Sequence, residues 1–203
     1  MEVQFTKFLD IKSPIGAYQL EQEGEFSPVG VDIYFPRPGR AFFDALITAN
    51  KNLHIDNYDI HTHECSIYDN INELQFGYDA ERKQYIIYTN KIQIPTGLGI
   101  LIPLDYHIDL RSKSSNFKNG YTEVTGLIDA DYTFGFGVQI INITENNSRI
   151  CFHPDEKFAQ LVLRKTHFID KMTEIPLDEW ENDERILRRR KTRTGGFGRT
   201  GKF

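Results

Sequence analysis

Most of the chain consists of short apolar or alternating segments, each ended by glycine, proline or asparagine. The segment Lys91–Ile94 alternates between polar and apolar residues and stops at Pro95-Thr96-Gly97. Segments of this length and punctuation are typical of β-strands in a sandwich, jelly roll or barrel. The pattern predicts an all-β fold, with strands at 31–35, 91–94, 98–102, 106–110, 136–143 and 158–163.

Two segments have helical spacing in place of strand alternation. Residues 40–50 carry apolar side chains at i, i+3 and i+4, which predicts an amphipathic helix. Residues 177–190 begin with acidic residues and end in arginines, the order that suits a helix macrodipole. In that second helix, Trp180 and Leu187 are seven residues apart and are expected on the buried side.

The region from about residue 50 to residue 90 is rich in Asn, Asp, Tyr and His and differs from its neighbours. It contains a predicted hairpin with strands at 74–78 and 84–88, and we expect an inserted element on the surface, outside the functional site. His61, His63 and Cys65 would share one face of a strand and are potential metal ligands. No second cluster has the spacing of a structural zinc site, which favours a polar surface strand.

Composition and charge narrow the class of protein. With 203 residues the chain is long enough for one domain with a sizeable core. It has no apolar stretch of about 18 residues, which argues against a membrane span, and its first residues do not resemble a signal peptide. Two cysteines favour a reducing cytoplasm over a disulfide framework. The net charge of −5 argues against nucleic-acid binding.

The end of the chain is cationic and rich in glycine. From Arg185 onward it holds eight Lys or Arg residues and no Asp or Glu. Glycine allows backbone N–H groups to approach a phosphate closely, and Phe197 is the only aromatic residue between residue 191 and residue 202. We therefore expect a domain at 1–190 and a mobile tail at 191–203 that closes over an anionic ligand.

Three segments carry candidate chemistry. Asp129 and Tyr132 lie three residues apart at the end of an apolar strand, where a carboxylate is placed to activate water. Arg111 begins a segment with three serines that suits the binding of phosphate oxygens. Gln160 stands within an otherwise apolar strand and needs a hydrogen-bond partner.

In chain order, these segments resemble the five sequence motifs of the homotrimeric dUTPases. The matching segments are Gly30-Val31-Asp32-Ile33-Tyr34, Arg111-Ser112-Lys113, Gly126 to Tyr132 and on to Gly135, Phe158-Ala159-Gln160-Leu161, and Gly195-Gly196-Phe197-Gly198-Arg199-Thr200-Gly201. The third and fifth motifs are the most specific, and the match spans nearly the whole chain.

The resemblance implies a distorted jelly-roll β-barrel, assembled as a homotrimer whose sites are built from several subunits. It also implies hydrolysis of dUTP to dUMP and pyrophosphate, with Mg²⁺ bound to the triphosphate. Asp129 would be the general base that deprotonates the attacking water. Asp32 would lie near the water shell of the metal.

The resemblance also implies the substrate contacts. A hairpin from about Gly120 to Ile128 would read uracil through its backbone, and Tyr132 would pack under the deoxyribose and exclude UTP. The residues expected to bind substrate are Arg111, Ser112, Lys113, Glu123, Leu127, Ile128, Tyr132, Gln160, Arg193, Phe197, Gly198 and Thr200. Ser112 and Gln160 would hold phosphate oxygens, Arg193 would reach the γ-phosphate, and Phe197 would cover the uracil ring.

The chain departs from the family pattern at several positions. Lys113 stands where motif two has glycine, and Glu123 stands where the hairpin often has asparagine. Arg193 lies one residue closer to Gly195 than the family pattern has it, so Lys191 or Arg190 is an alternative γ-phosphate contact. The segment at 50–90 roughly doubles the spacing between motifs one and two.

Three alternative functions stay open at this point. A dCTP deaminase-like or bifunctional enzyme of the same fold also uses a segment similar to Arg111–Ser115. A binding module of this fold would contact a protein partner through the insert at 50–90. A nucleic-acid-binding β-barrel fits the basic tail but not the acidic remainder of the chain.

Overall fold

The computed structural model describes residues 3–14, 30–130, 135–144, 149–166, 176–185 and 187. The chain divides into two compact units, Met1–Thr166 and His167–Phe203. In the described part of the chain, no helix is long and apolar enough to cross a membrane.

The first unit is built mainly from β-strands. Its helices are α1 (Arg40–Ala49) and α2 (Ser114–Lys118). Its strands are β1 (Gln4–Lys7), β2 (Val31–Tyr34), β3 (Leu53–Tyr58), β4 (Cys65–Asp69), β5 (Leu74–Asp79), β6 (Gln84–Ile87), β7 (Lys91–Pro95), β8 (Leu98–Leu101), β9 (Tyr106–Arg111), β10 (Tyr121–Glu123), β11 (Gly126–Asp129), β12 (Gly137–Asn142), β13 (Ile150–Phe152) and β14 (Lys157–Lys165).

All the strand pairs are antiparallel, and they form four sheets within the described residues. The sheet orders are β11-β9-β14-β2, β10-β12-β7, β13-β6-β5-β4-β3 and β1-β8. The six predicted strands are confirmed as β2, β7, β8, β9, β12 and β14. The predicted helix at 40–50 is confirmed as α1, whose Phe42, Phe43 and Leu46 are buried. The mostly β architecture agrees with the expected jelly roll.

The insert at 50–90 shares the main core, and our expectation of a surface element is wrong. Its strands β4, β5 and β6 bury Ile67, Phe76 and Tyr85 completely. The Tyr85 ring lies 4.8 Å from the ring of Phe35, which follows β2, and its hydroxyl donates a 2.9 Å hydrogen bond to the carbonyl of Pro36. The predicted hairpin within the insert is confirmed by the β5–β6 pair.

The segment from His61 to Glu64 forms a turn, so the predicted polar surface strand is wrong. Asp59 accepts hydrogen bonds from the backbone N–H groups of His61 and Thr62, at 2.7 and 2.9 Å. His63 has a positive φ of 63°. Asx-type bonds of this kind stabilise a turn in place of a strand. Among the described residues, no group of three or more His, Cys, Asp or Glu side chains is arranged to hold a metal ion.

The two cysteines have opposite environments. Cys65 at the start of β4 is 1% exposed, and burial raises the pKa of its thiol to about 12. Cys151 on β13 is exposed. Both are free thiols, as the sequence predicts.

The predicted helix at 177–190 is interrupted at Asp183 in the structure. Helix α3 spans Leu177–Asn182, and after it the carboxylate of Asp183 accepts a 2.8 Å hydrogen bond from the backbone N–H of Arg185. This bond caps a second helical segment, in which residues 184, 185 and 187 are helical and the backbone N–H of Leu187 donates to the carbonyl of Asp183 at 3.0 Å. Leu187 is 40% exposed, so its predicted burial is wrong. The Trp180 side chain and residues 188–190 lie outside the described part.

Candidate active site

Three residues from different motifs form one row across the sheet β2-β14-β9. Gln160 on β14 is the register partner of Asp32 on β2 and of Arg111 on β9. Directly paired residues of antiparallel strands present their side chains on the same face. The fold therefore brings motifs one, two and four together.

A buried carboxylate lies at one end of this row. Asp32 is 1% exposed, and its Oδ1 accepts hydrogen bonds from Lys113 Nζ and Gln160 Nε2, each at 2.9 Å. Its Oδ2 lies 2.8 Å from the Nζ of Lys157. Both carboxylate oxygens are thus occupied by donors, and with one carboxylate and two ammonium groups the cluster carries one net positive charge.

These contacts lower the pKa of Asp32. Burial is the largest single influence and raises it, but hydrogen bonds from Lys157, Gln160 and Lys113 together outweigh burial and lower the pKa to about 2. Asp32 is therefore ionised at neutral pH. A charged and buried aspartate holds its ammonium partners in fixed positions.

A second carboxylate on the same sheet also binds two cations. Asp109 on β9 is 6% exposed, and its Oδ2 lies 2.6 Å from both Arg111 NH2 and Arg164 Nε. The Nε2 of His107 is 3.6 Å from the other oxygen. The hydrogen bond from Arg111 is the main cause that lowers the pKa of Asp109. This cluster also carries one net positive charge when His107 is neutral.

The segment after β9 contains a buried polar network. Ser112 Oγ donates a 3.0 Å hydrogen bond to the backbone carbonyl of Glu123. The side chain of Asn116 donates to Oε1 of Glu123 and, at 2.7 Å, to the carbonyl of Phe158. Glu123 is 4% exposed and its Oε2 has no partner in the described structure. Burial raises the pKa of Glu123. Asn116 links the side chain of Glu123 to motif four, and Ser112 of motif two bonds the backbone of Glu123.

Within one chain the candidate base lies apart from the Asp32 cluster and next to the cluster of Asp109. Asp129 is exposed at the end of β11 and is the register partner of His107. His107 precedes Arg111 by four residues on β9, so the row of Asp129 is roughly 13 Å from the row of Gln160. Leu127 on the same strand is 68% exposed, and Ile128 is partly buried.

The predicted hairpin between residues 120 and 128 is not formed, so that prediction is wrong. Strand β10 pairs with β12, whereas β11 pairs with β9. The two strands therefore belong to different sheets. Five predicted site residues lie outside the described part of the chain: Tyr132, Arg193, Phe197, Gly198 and Thr200.

Five residues of these clusters were missed in the sequence. They are His107, Asp109, Asn116, Lys157 and Arg164. Strand alternation places Asp109 on the face of Arg111 and offers a signal for that residue. The partners of Lys157 and Arg164 are distant in sequence, and no local pattern identifies them.

The largest of the described cavities lies away from the charged row. It has a volume of about 380 Å³ and is lined mainly by apolar and small residues, among them Phe8, Ala45, Pro95, Gly135 and Gly137. None of the charged side chains of the two clusters lines it. The charged row is therefore the better candidate for the phosphate site.

Two known proteins with similar sequences carry the same enzyme name. A deoxyuridine 5'-triphosphate nucleotidohydrolase of Fusobacterium nucleatum is 33% identical over 115 residues, which are 55% of this chain and 70% of that protein. The protein with the same name from Bdellovibrio bacteriovorus is 36% identical over 115 residues, covering 55% and 69% of the two chains.

Solved structures of phage dUTPases share the fold. The dUTPase of phage 80alpha aligns with a TM-score of 0.52 at 16% identity, over 86% of this chain and 96% of that one. The dUTPase of phage phi11 of S. aureus aligns with a TM-score of 0.50 at 16% identity, over 86% and 97%, and was described for its coordination of a structural Mg(II) ion. At this identity the likeness concerns the fold alone.

The family model dUTPase matches residues 63–201, which is more than half of the 203 residues. The match begins inside the insert and includes motifs two to five. Together with relatives above 30% identity and the agreement in fold, it identifies the chain as a member of the dUTPase family.

Proposed function

We propose that the protein hydrolyses dUTP to dUMP and pyrophosphate as a homotrimer. The observation that carries the proposal is the row in which Gln160 lies between its two register partners, Asp32 and Arg111. Each of the two carboxylates, Asp32 and Asp109, binds two cations. The row therefore presents an excess of positive charge within an acidic chain, which suits a triphosphate.

In this proposal Gln160, Lys113 and Arg111 bind phosphate oxygens, while Asp32 and Asp109 position them. Ser112 adds its hydroxyl from the segment after β9 once that group turns from the carbonyl of Glu123 to the phosphate. Pairing with a buried carboxylate restricts a long cationic side chain before the ligand arrives, so less conformational entropy is lost on binding.

Asp129 is the proposed general base. Its carboxylate accepts a proton from water while the water oxygen attacks the α-phosphorus and the bond to the β-phosphate oxygen breaks, releasing pyrophosphate. Asp129 and Gln160 of one chain are too far apart along the sheet to act on one phosphate group. A trimer removes this difficulty if Asp129 of one subunit faces the charged row of another.

Magnesium enters the proposal through the substrate. Bound to the triphosphate, Mg²⁺ supplies countercharge to its oxygens. The surroundings of Asp32 do not fit a metal, because two ammonium groups and an amide occupy both of its oxygens. We therefore assign Asp32 to the positioning of Lys113 and Gln160 in place of the predicted contact with the metal's waters.

The remaining roles are proposed from sequence. Tyr132 selects the deoxyribose, and the tail at 191–203 closes the site through Phe197, Gly198, Thr200 and either Arg193 or Lys191. A cytoplasmic location fits the free thiols of Cys65 and Cys151. A protein partner bound through the insert stays a prediction.

Parallel turnover of dUTP, UTP and dCTP by the purified protein tests the proposal. We expect dUMP and pyrophosphate from dUTP, with a much smaller kcat/KM for UTP and no ammonia from dCTP. Release of ammonia from dCTP would contradict the proposal and show that the protein is a deaminase. The absence of turnover with all three nucleotides would favour a binding module.

A further inference from the structure

The ammonium group of Lys113 connects a buried carboxylate to the surface of the site. Its Nζ lies 2.9 Å from Oδ1 of Asp32, and 17% of its side chain is exposed. Lys157 binds the other oxygen of the same carboxylate at 2.8 Å. Gln160 completes the contacts of Oδ1. Two cations and one primary amide are therefore gathered around one anion.

An ammonium group has three N–H donors, and Asp32 takes one donor of Lys113. Lys113 can thus bond a phosphate oxygen while Asp32 still holds it. The position is also unusual, since motif two of the family has glycine where this chain has Lys113. A glycine there carries no charge, so the chain has gained a fixed cation next to Gln160.

We propose that Lys113, held by Asp32, supplies part of the countercharge for a nucleoside triphosphate, so that nucleotide binding depends only weakly on a divalent metal. The inference rests on the proposed function and extends it to how the substrate charge is neutralised. Its physical basis is the strength of charge-assisted hydrogen bonds, each worth about ten- to a hundredfold in binding.

The test is the Kd of a non-hydrolysable dUTP analogue, measured by calorimetry with Mg²⁺ and again with EDTA. The wild-type protein should lose less than about tenfold in affinity when Mg²⁺ is removed. Lys113→Met keeps the aliphatic chain without the charge and should lose about a hundredfold. Lys118→Met is the matched control, because it removes the same charge from an exposed position on α2 and should behave as the wild type.

Lys113→Gly is a second variant that restores the expected family residue and leaves Asp32 paired with Lys157 and Gln160. It should show the same increased dependence on Mg²⁺ and covers the case in which Lys113→Met does not fold. Equal ratios of the two Kd values in wild type and both variants would overturn the inference. If the wild type still hydrolyses dUTP, the proposed function survives that result; if it hydrolyses no dUTP, both fall.

Discussion

Arg111 and Asp109 lie two residues apart on β9 and form an ion pair of 2.6 Å on one face of that strand. Alternation places both side chains on the same face, and Asp109 binds the guanidinium of Arg164 from β14 at the same distance. One nearly buried carboxylate therefore fixes two arginines on neighbouring strands. Arg111 is held in place without any ligand.

Removing the charge of Asp109 should loosen both arginines. We expect Asp109→Asn to raise KM for dUTP about tenfold while kcat changes less, because a mobile guanidinium pays more entropy on binding. Asp105→Asn is the control, since its exposed carboxylate pairs with Lys165 at 3.9 Å outside this cluster. An unchanged KM in Asp109→Asn would show that the ion pair serves stability alone.

Replacing the proposed base should stop the chemistry and spare binding. An amide at position 129 keeps the shape of the carboxylate but does not accept the proton. Asp129→Asn should therefore lower kcat by about 10²- to 10⁴-fold with little change in the Kd of a dUTP analogue. A variant that keeps more than a tenth of the wild-type kcat would refute the assignment.

A mixing experiment tests whether Asp129 serves the site of another subunit. Gln160→Ala should be nearly inactive, because it removes the proposed phosphate contact at the centre of the row. Co-refolding this variant with Asp129→Asn should form mixed trimers that contain some sites with both residues intact. Partial recovery of dUTP turnover is expected, and no recovery in verified mixed trimers would place the complete site within one chain.

The charge of Asp32 should make stability fall in acid. Its pKa in the folded protein is about 2, below its ordinary value of 3.8, so the unfolded chain binds the proton more readily. The stabilisation, roughly 2 kcal/mol, is fully present above about pH 5 and is lost as the pH falls towards 2. Denaturant unfolding across this range should show a smaller pH dependence for Asp32→Asn. An equal pH dependence of the free energy of unfolding in wild type and Asp32→Asn would mean that the ionised carboxylate does not stabilise the folded protein.

The insert should be required for folding, because its strands β4, β5 and β6 share the main core. Replacing residues 50–90 removes the rings that cover Phe35 and Phe42. We expect Phe76→Ala to lower the free energy of unfolding by about 3–5 kcal/mol, and the shortened chain not to fold. Tyr88→Ala, at a more exposed position, should have a small effect. A shortened chain with an unchanged Tm would contradict this.

Deleting the tail should separate activity from stability. Without Lys191 to Phe203 we expect an unchanged Tm and a loss of about 10²-fold or more in kcat/KM, because closure positions the substrate. Trypsin should cut the wild type near Arg193, and a non-hydrolysable dUTP analogue should protect it. Equal cleavage with and without the analogue would show that the tail does not close over the nucleotide.

The sequence predicted six of the strands, the hairpin β5–β6 and the joining of motifs one, two and four, but not the ion pairs that organise them. Strand alternation is a local signal, and the sequence of β9 shows it, with apolar Tyr106, Ile108 and Leu110 alternating with His107, Asp109 and Arg111. Asp32 and Lys157, in contrast, meet only through long-range pairing. The insert was misjudged because its few apolar residues, such as Phe76, alternate with many polar ones that face away from the core. The pairing of β10 with β12 likewise depends on tertiary structure.

The contrast between the two cysteines makes the native chain suitable for fluorescence labelling. A maleimide dye at neutral pH should react with the exposed thiol of Cys151 and leave the buried Cys65 unmodified. Each subunit would then carry one fluorophore at a defined place on β13, with no engineered mutation. Energy transfer between labelled subunits would report assembly and subunit exchange in real time.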